Sequence, residues 1–537
     1  MGHSGAERPV YALDGSRLGK RLTAVAARLR RRAYPNHWSF LFGVVSVALF
    51  TVLLVTGIAL MFFYDPSTAV VRYRGSYPLL RGLGMSQAYE SMLRISFDVT
   101  GGLLLRQAHH WAALMLPGSL ALQLLSTFFT GAFRRPRQWA WVLLVGIFLL
   151  ALVSGWSGYA LPDDTLSGTG LRIVQGVMLG IPIIGTWLTW KLFGGEFPGS
   201  IITHMYAIHL VAPAILAVGI ALRLRLTYRL GPPQFGGPGR TEGNIVGVPM
   251  WPNAVARMIG PFFITTGVVV LMGGTVTVSP VWVYGPSSPS NAFAGSQPDW
   301  YTAFLDGALR LVPPGWEVGW LGRTWTLAVL VPIVAIGLFF ALLTTYPFLE
   351  AWIAADRREH HLLDRPRDTP ARTGLGVAGV TFYATLWLAG SADVIATQFR
   401  VSFEGVIWLL RGVILLGPPI AYLLTRQICY ALKTQDRERL LHGAESGRIV
   451  QLPNGGYVEP HARLSARRRY ALTTTTQHPA PEVRLNKEER AAPIERLRIR
   501  LQRRLFDDRP QAIGGSSGTG HESDRGGEMA ARSEARR

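Results

Sequence analysis

The sequence is poor in cysteine and in charged residues. Cys429 is the only cysteine among 537 residues, which excludes an intrachain disulfide, a thiolate-held iron–sulfur cluster and a Cys-x-x-Cys-His haem attachment site. We find neither an internal repeat nor a phosphate-binding glycine loop. Only 16% of residues are charged, whereas 49% are hydrophobic and collect in long runs. This composition is typical of an integral membrane protein.

Eight apolar runs are long enough to cross about 30 Å of hydrocarbon as helices that rise about 1.5 Å per residue. The predicted spans are residues 38–63, 97–129, 138–160, 201–226, 257–283, 325–348, 372–393 and 403–430. An even number of spans returns the chain to its starting side. The sequence therefore predicts an all-α protein of eight transmembrane helices.

The formal net charge of +21 comes from arginines that lie between and after the apolar runs. They cluster on the side of the N-terminus, as in "RRPR" (Arg134 to Arg137), so the positive-inside rule places both termini in the cytoplasm and the chain in the plasma membrane. We call this side inner and the opposite side outer. The basic segment Arg17 to Arg32 is expected to lie on anionic membrane lipid. Nucleic acid is not an expected partner.

The pattern predicts five segments. The first four spans form one four-helix domain and the last four form another, and long Gly- and Pro-rich outer connections at 64–96, 161–200 and 284–324 carry function or dock partners. About the last thirty residues are expected to be disordered. The predicted segments are a basic N-terminal segment at 1–37, the first domain at 38–230, an inner loop at 231–256, the second domain at 257–432 and a basic tail at 433–537.

Two predicted spans each carry a histidine about one third of the way in from the outer side, His109 and His209. Two helices that offer imidazoles at matching depth can hold a haem iron between them. The alternative is a hydrogen bond from each ring to a neighbouring helix carbonyl. Gly57 and Gly158 would leave room for a flat macrocycle, or serve helix packing alone. Arg106 would pair a haem propionate, or extend outward to the membrane surface.

At these residues the sequence resembles cytochrome b of the quinol–cytochrome c oxidoreductases, in its long actinobacterial form, over about residues 35–460. The resemblance implies that His109 and His209 hold the outer, low-potential haem b, and that His110 is a packing or hydrogen-bonding neighbour. The motifs that carry it are "LLLRQAHHWAALM" (from Leu103), "GYALPDDTLSGTG" (from Gly158), "YAIHLVAPAIL" (from Tyr206), "GPGRTEGNIVGV" (from Gly237), "SQPDWY" (from Ser296) and "ALKTQDRERLLHGAESGRIVQLP" (from Ala431).

The resemblance also implies an outer quinol-oxidising site. "PDWY" (Pro298 to Tyr301) is similar to the family's Pro-Glu-Trp-Tyr signature, with Asp299 as the proton acceptor and Tyr301 as the residue that orients it or the quinol. Taken alone, such a tetrapeptide is an ordinary turn. Asp163 and Asp164 are either helix caps or part of a proton exit, and the cap is favoured.

The sequence departs from the family at the inner, high-potential haem. The second ligands would lie about fourteen residues after the first ones, where this chain has Gln123 and Arg223. Neither is an ordinary haem ligand. Leu144 replaces a glycine of the third span and Ser126 replaces an arginine, although Gly43 is retained. We therefore expect a single haem b per chain.

The resemblance implies the membrane subunit of a bc1 complex that oxidises quinol, with menaquinol as the expected substrate. The implied partners are a Rieske iron–sulfur subunit, a cytochrome c subunit and a second copy of the chain; a terminal oxidase is a further candidate. One alternative is a redox-inactive paralogue with a structural or assembly role. An eight-span transporter is a weaker alternative, because we find neither inverted symmetry nor mid-membrane acids.

Overall fold

The computed structural model describes residues 16–195, 197–288, 290, 297–473 and 492–506. In these residues, eight helices are long and apolar enough to cross a membrane, which confirms the predicted all-α architecture. We number them as spans one to eight: Trp38–Met61, Gly102–Phe129, Gln138–Tyr159, Ile201–Leu230, Met250–Thr275, Leu327–Ala354, Pro370–Gly390 and Phe403–His442. The segment predicted to be disordered lies outside the described residues.

The ends of several spans differ from the sequence prediction. Span two begins at Gly102, because Gly101 adopts a positive φ of 75° and separates the span from the preceding helix. Span five begins earlier than predicted, and the backbone becomes extended at Val276. Span eight continues twelve residues beyond position 430 to His442. Hydropathy marks where a helix leaves the apolar layer, whereas helix ends depend on local backbone geometry.

Shorter elements connect the spans. In the described residues up to 473, the helices outside the spans are Arg17–Arg30, Gln87–Phe97, Thr165–Leu179, Gly185–Phe193, Val281–Tyr284, Ala303–Leu311, Ala392–Phe399 and Ala466–Thr473, with single 3-10 turns at Pro78–Leu80, Trp300–Thr302 and Pro366–Asp368. The strands of the described residues form two-stranded pairs: Ala33–Tyr34 with Val248–Pro249, Val70–Arg72 with Gly84–Ser86, Gln234–Phe235 with Leu362–Leu363 (the parallel pair), Glu317–Trp320 with Arg323–Thr326, Ala444–Glu445 with His461–Ala462, and Val450–Gln451 with Tyr457–Val458.

Two compact units divide the chain, Met1–Pro481 and Glu482–Arg537. The described part of the second unit is a helix at Pro493–Phe506 whose apolar and arginine residues alternate in an amphipathic pattern. All eight spans belong to the first unit.

The first four spans pack as a bundle. Span one lies against span two, span two against span three, and span three against span four, while span five contacts spans one and two. A Cβ on Gly273 of span five would lie 2.8 Å from the backbone nitrogen of Ala108, so only glycine permits this helix contact. The bundle therefore holds the outer ends of spans two and four at fixed positions.

A buried ion-pair network joins the inner ends of other elements. Arg372 of span seven pairs with Glu350 of span six at 2.6 Å and with Asp364 at 2.7 Å. Arg134, in the connection after span two, pairs with Asp364 at 3.0 Å. These four side chains are at most 7% exposed, so each charge is balanced by its partners rather than by water.

Candidate functional site

His109 of span two and His209 of span four lie close together inside the bundle. Their ring centroids are 6.1 Å apart, and the ring planes are inclined by 70°. An imidazole nitrogen lies about 2.0–2.1 Å from a metal that it binds, so one metal ion between two rings places their centroids about 6 Å apart. The structure thus brings the two predicted ligands together at a separation suited to a shared metal.

The hydrogen bonds of both rings fix their tautomers. His209 Nδ1 lies 2.9 Å from the carbonyl oxygen of Ser154, which can only accept, so Nδ1 carries the proton. His109 Nδ1 lies 2.9 Å from the hydroxyl oxygen of Thr56, which itself donates to the carbonyl of Val52. No hydrogen bond within the described residues engages either Nε2. Both Nε2 lone pairs are therefore available to a metal.

The two predicted glycines lie directly beside the two imidazoles. A Cβ on Gly57 would lie 3.1 Å from His109 Cε1, and one on Gly158 would lie 2.5 Å from His209 Cε1. The sequence reasoning assigned these glycines to the surface of a macrocycle or to helix packing. In the structure each one makes room for a ligand ring, so the glycines position the imidazoles.

Arg106 lies one helical turn before His109 and is 5% exposed. Its Nη1 donates to the carbonyl oxygen of Ser279 at 3.1 Å, whereas Nε and Nη2 have no partner among the described residues. A buried guanidinium with two unused donors fits an anionic ligand group such as a propionate. The alternative of an arginine that extends to the membrane surface is wrong, because the side chain is buried.

The predicted outer-site residues also meet in the structure. The hydroxyl of Tyr301 donates to Asp299 Oδ2 at 3.0 Å, and His110 Nε2 lies 3.3 Å from Asp299 Oδ1. Burial and the Asp299 charge raise the pKa of Tyr301 well above its usual value, which keeps this hydroxyl a donor. The sequence suggested a packing or hydrogen-bonding role for His110, and hydrogen bonding is what the structure indicates.

Neighbouring spans hold this tetrapeptide in place. A Cβ on Gly155 of span three would lie 2.6 Å from the hydroxyl oxygen of Tyr301, and Trp300 packs beside Gly118 of span two. Trp300 Nε1 donates to the carbonyl oxygen of Leu114 at 3.0 Å. These contacts hold the tetrapeptide against spans two and three, and span two also carries His109.

Asp163 and Asp164, in the outer connection after span three, have different roles. Asp164 is the N-cap of the helix Thr165–Leu179, where its Oδ1 accepts from the backbone nitrogen of Ser167 at 2.7 Å. Asp163 has a positive φ of 49° and accepts a hydrogen bond from Ser86 at 2.6 Å. Burial raises the pKa of Asp163 to about 6, although the Ser86 bond opposes this shift. The predicted cap is confirmed for Asp164.

Comparison with known proteins decides the family. A family profile described as "Cytochrome b(N-terminal)/b6/petB" matches residues 114–286. The cytochrome bc1 complex cytochrome b subunit of Streptomyces coelicolor is 40% identical over 512 residues, which cover 94% of this chain and 93% of that protein. The corresponding subunit of Mycobacterium tuberculosis is 46% identical over 446 residues, covering 82% and 81%. The chain belongs to the cytochrome b family.

A solved structure shares the fold of this chain. A chain of the "Hyperthermophilic respiratory Complex III" aligns with a TM-score of 0.58 at 17% identity, over 78% of this chain and all of that chain. At this identity the likeness is one of fold. Family membership confirms the resemblance found in the sequence, and together with the eight spans it makes this cytochrome b a multi-pass membrane protein. It also implies a haem b site, which the imidazole pair, the glycines and Arg106 fit.

The inner half of this cytochrome b contains a cavity of about 990 Å³. Gln123 and Arg223 line this inner cavity on spans two and four, and Leu144 lines it on span three. A Cβ on Gly43 would lie 3.1 Å from Gln123 Nε2. Gln123 therefore stands beside Gly43 as His109 stands beside Gly57. His37 is the one histidine among the described lining residues, and its Nδ1 is engaged with Ser39.

Proposed function

We propose that this chain is the cytochrome b subunit of a bc1-type complex that oxidises a quinol, menaquinol being the expected one, at its outer side. The observation that carries this proposal is the His109–His209 pair, with both Nδ1 atoms committed as donors and a ring separation of 6.1 Å. Arg106 offers its unused donors to a propionate. A haem b bound there would supply a one-electron acceptor.

The outer carboxylate and its imidazole neighbour match the proton chemistry of quinol oxidation. A quinol that becomes a quinone loses two electrons and two protons. Asp299 and His110 are adjacent, and each accepts one proton from the quinol, His110 at Nδ1 because its Nε2 donates to Asp299. Tyr301 holds Asp299 Oδ2 through its hydroxyl and leaves Oδ1 facing His110. We assign Asp299 and His110 as proton acceptors and Tyr301 as the residue that positions Asp299.

The proposal requires partners. The second electron needs another one-electron acceptor, and a chain with one cysteine cannot hold an iron–sulfur cluster of its own. We infer a Rieske iron–sulfur subunit at the outer connections, together with a cytochrome c subunit, a second copy of this chain and a terminal oxidase as a further candidate. The relatives are named as subunits of a bc1 complex, which supports this assignment. The arginine-rich inner connections and the basic helix Arg17–Arg30 support cytoplasmic termini.

We further propose that this chain binds one haem b and lacks the inner one. Gln123 and Arg223 stand at the ligand positions, and Leu144 fills the place of a small residue at the cavity wall. An arginine is always protonated and cannot ligate iron, and glutamine is not an ordinary haem ligand.

The test is anaerobic reduction of the purified complex by a menaquinol analogue, followed in the b-type absorption band. The Asp299→Asn variant should keep its haem but reduce it about 10²-fold more slowly, because a general base has been removed. Asp98→Asn, at an exposed outer carboxylate, is the matched control and should behave as the wild type. A wild-type haem that quinol does not reduce would contradict the proposal and favour a redox-inactive paralogue.

A further inference from the structure

The inner cavity has a polar end and apolar walls. Four arginines lie among its described lining residues, and neither aspartate nor glutamate does. The lining arginines are Arg32, Arg137, Arg223 and Arg229. Apolar side chains such as Leu120, Leu144, Ile147 and Leu216 line its deeper part. Among the described residues, no carboxylate lines the cavity itself, and Glu242 and Glu359 act on Arg137 from outside the lining.

Two of these arginines have protein partners. Arg137 donates to the carbonyl oxygens of His360 at 2.7 Å and Gly231 at 3.0 Å. Arg32 stacks on the ring of Tyr228, with its guanidinium carbon 3.8 Å from the ring centroid. These contacts fix both side chains at the inner end of the bundle.

Arg223 differs from Arg32 and Arg137 in its hydrogen bonding. Its Nη1 atom is buried and has no hydrogen-bond partner among the described residues. A buried, charged donor without an acceptor is costly, so a ligand that supplies an anionic oxygen would stabilise it. The residue lies in span four at the depth where Gln123 faces the cavity from span two.

We propose that the inner cavity binds an anionic phospholipid in place of a haem. The phosphate accepts from the Arg223 guanidinium near the arginine-rich end, and the acyl chains lie along the apolar walls. Basic pockets between spans at the cytoplasmic side are suited to anionic headgroups, because that leaflet carries the anionic lipids. A neutral quinone fits less well, since its carbonyls accept hydrogen bonds but balance none of the charge.

This binding does not depend on quinol oxidation, but it does require the inner haem to be absent. If the purified complex fails to oxidise quinol, the proposed lipid binding is unaffected. A second haem b per chain overturns the lipid site and the single-haem proposal together.

The experiment uses the purified complex, reconstituted in phosphatidylcholine vesicles with and without phosphatidylglycerol, then stripped with detergent and measured by native mass spectrometry with lipid identification. The wild type should retain one phosphatidylglycerol per chain. Arg223→Gln should lower retention about tenfold, since a charge-assisted hydrogen bond is lost. Arg225→Gln, at an exposed arginine two residues further along the same span, is the matched control and should retain the lipid.

Three results would overturn the proposal: equal retention in the Arg223→Gln and wild-type complexes, a wild type that keeps no anionic lipid, or a quinone as the retained molecule. The b-type absorption of the outer haem reports whether each variant is folded. If Arg223→Gln does not fold, the wild-type measurement alone still decides between an anionic lipid, a quinone and neither.

Discussion

At the scale of single residues, the position of two protons decides whether spans two and four can hold a metal. His209 donates from Nδ1 to a backbone carbonyl, and His109 donates from Nδ1 to the Thr56 hydroxyl. Each ring therefore keeps its Nε2 lone pair free to bind a metal. The neighbours that accept these hydrogen bonds are as much part of the site as the ligands.

Thr56 provides a direct test of this tautomer argument. Replacing it by valine removes the hydroxyl that accepts from His109 Nδ1 at nearly constant volume, leaving the Leu53 carbonyl, and should weaken haem binding about 10-fold, as loss of such partners does at other metal sites. The measurement is haem retention in the purified protein. Thr51→Val is the control, because Thr51 lies on the same span and bonds only the Val47 carbonyl. Equal retention in the two variants would refute the argument.

Gly158 tests the steric role of the glycines. An alanine there places a Cβ 2.5 Å from His209 Cε1, so the ring must turn away and most of the b-type absorption should be lost. Gly146, also on span three, has no atom within 4 Å of an added Cβ. Gly146→Ala should keep the full spectrum and stabilise the helix by up to about 1 kcal/mol. A normal spectrum for Gly158→Ala would show that the glycine does not position the imidazole.

The sequence predicted the residues whose type is costly inside a membrane, such as His109 and His209. An imidazole at that depth is unfavourable unless it binds a metal or a hydrogen-bond partner, so it marks a candidate site. The sequence did not predict that His110 faces Asp299, since the contact joins residues 189 positions apart and depends on how the outer loop folds back. The Thr56 contact was missed as well. Thr56 precedes Gly57, but a threonine in a membrane helix ordinarily bonds its own backbone.

At the scale of helices and strands, apolar run length located all eight spans but not all of their ends. The "KTQDRERLLH" segment continues span eight as helix beyond the apolar run, because its residues favour helix without being hydrophobic. The buried Arg372–Glu350–Asp364–Arg134 network was not predictable. These charges lie in separate connections and span ends, and only the packed structure shows that they pair rather than face water.

That network should stabilise the inner ends of spans six and seven. Arg372→Met leaves Glu350 and Asp364 buried without their main partner, so we expect a loss of about 3–5 kcal/mol in the free energy of unfolding. Arg358→Met removes an ion pair to Asp356 whose arginine is half exposed, and should cost about 1 kcal/mol or less. Thermal unfolding of both variants in detergent provides the measurement. Similar losses in the two variants would mean that the buried network carries no special stability.

At the scale of the whole molecule, the outer and inner halves of the four-helix bundle carry different side chains. The outer half keeps an imidazole pair, two glycines and a buried arginine with unused donors. The inner half keeps Gly43 and a cavity of about 990 Å³, but Gln123 and Arg223 face it. The chain belongs to the cytochrome b family, while Gln123 and Arg223 offer hydrogen bonds and positive charge to the inner cavity.

The haem content of the purified chain tests this account most directly. A pyridine haemochrome assay, referred to polypeptide concentration, should find one haem b per chain in the wild type. The His109→Leu variant should contain none, and His204→Leu, which removes a histidine of span four that bonds the Leu192 carbonyl, should keep it. A wild type with two haems, or with none, would contradict the claim that a single haem is held between His109 and His209.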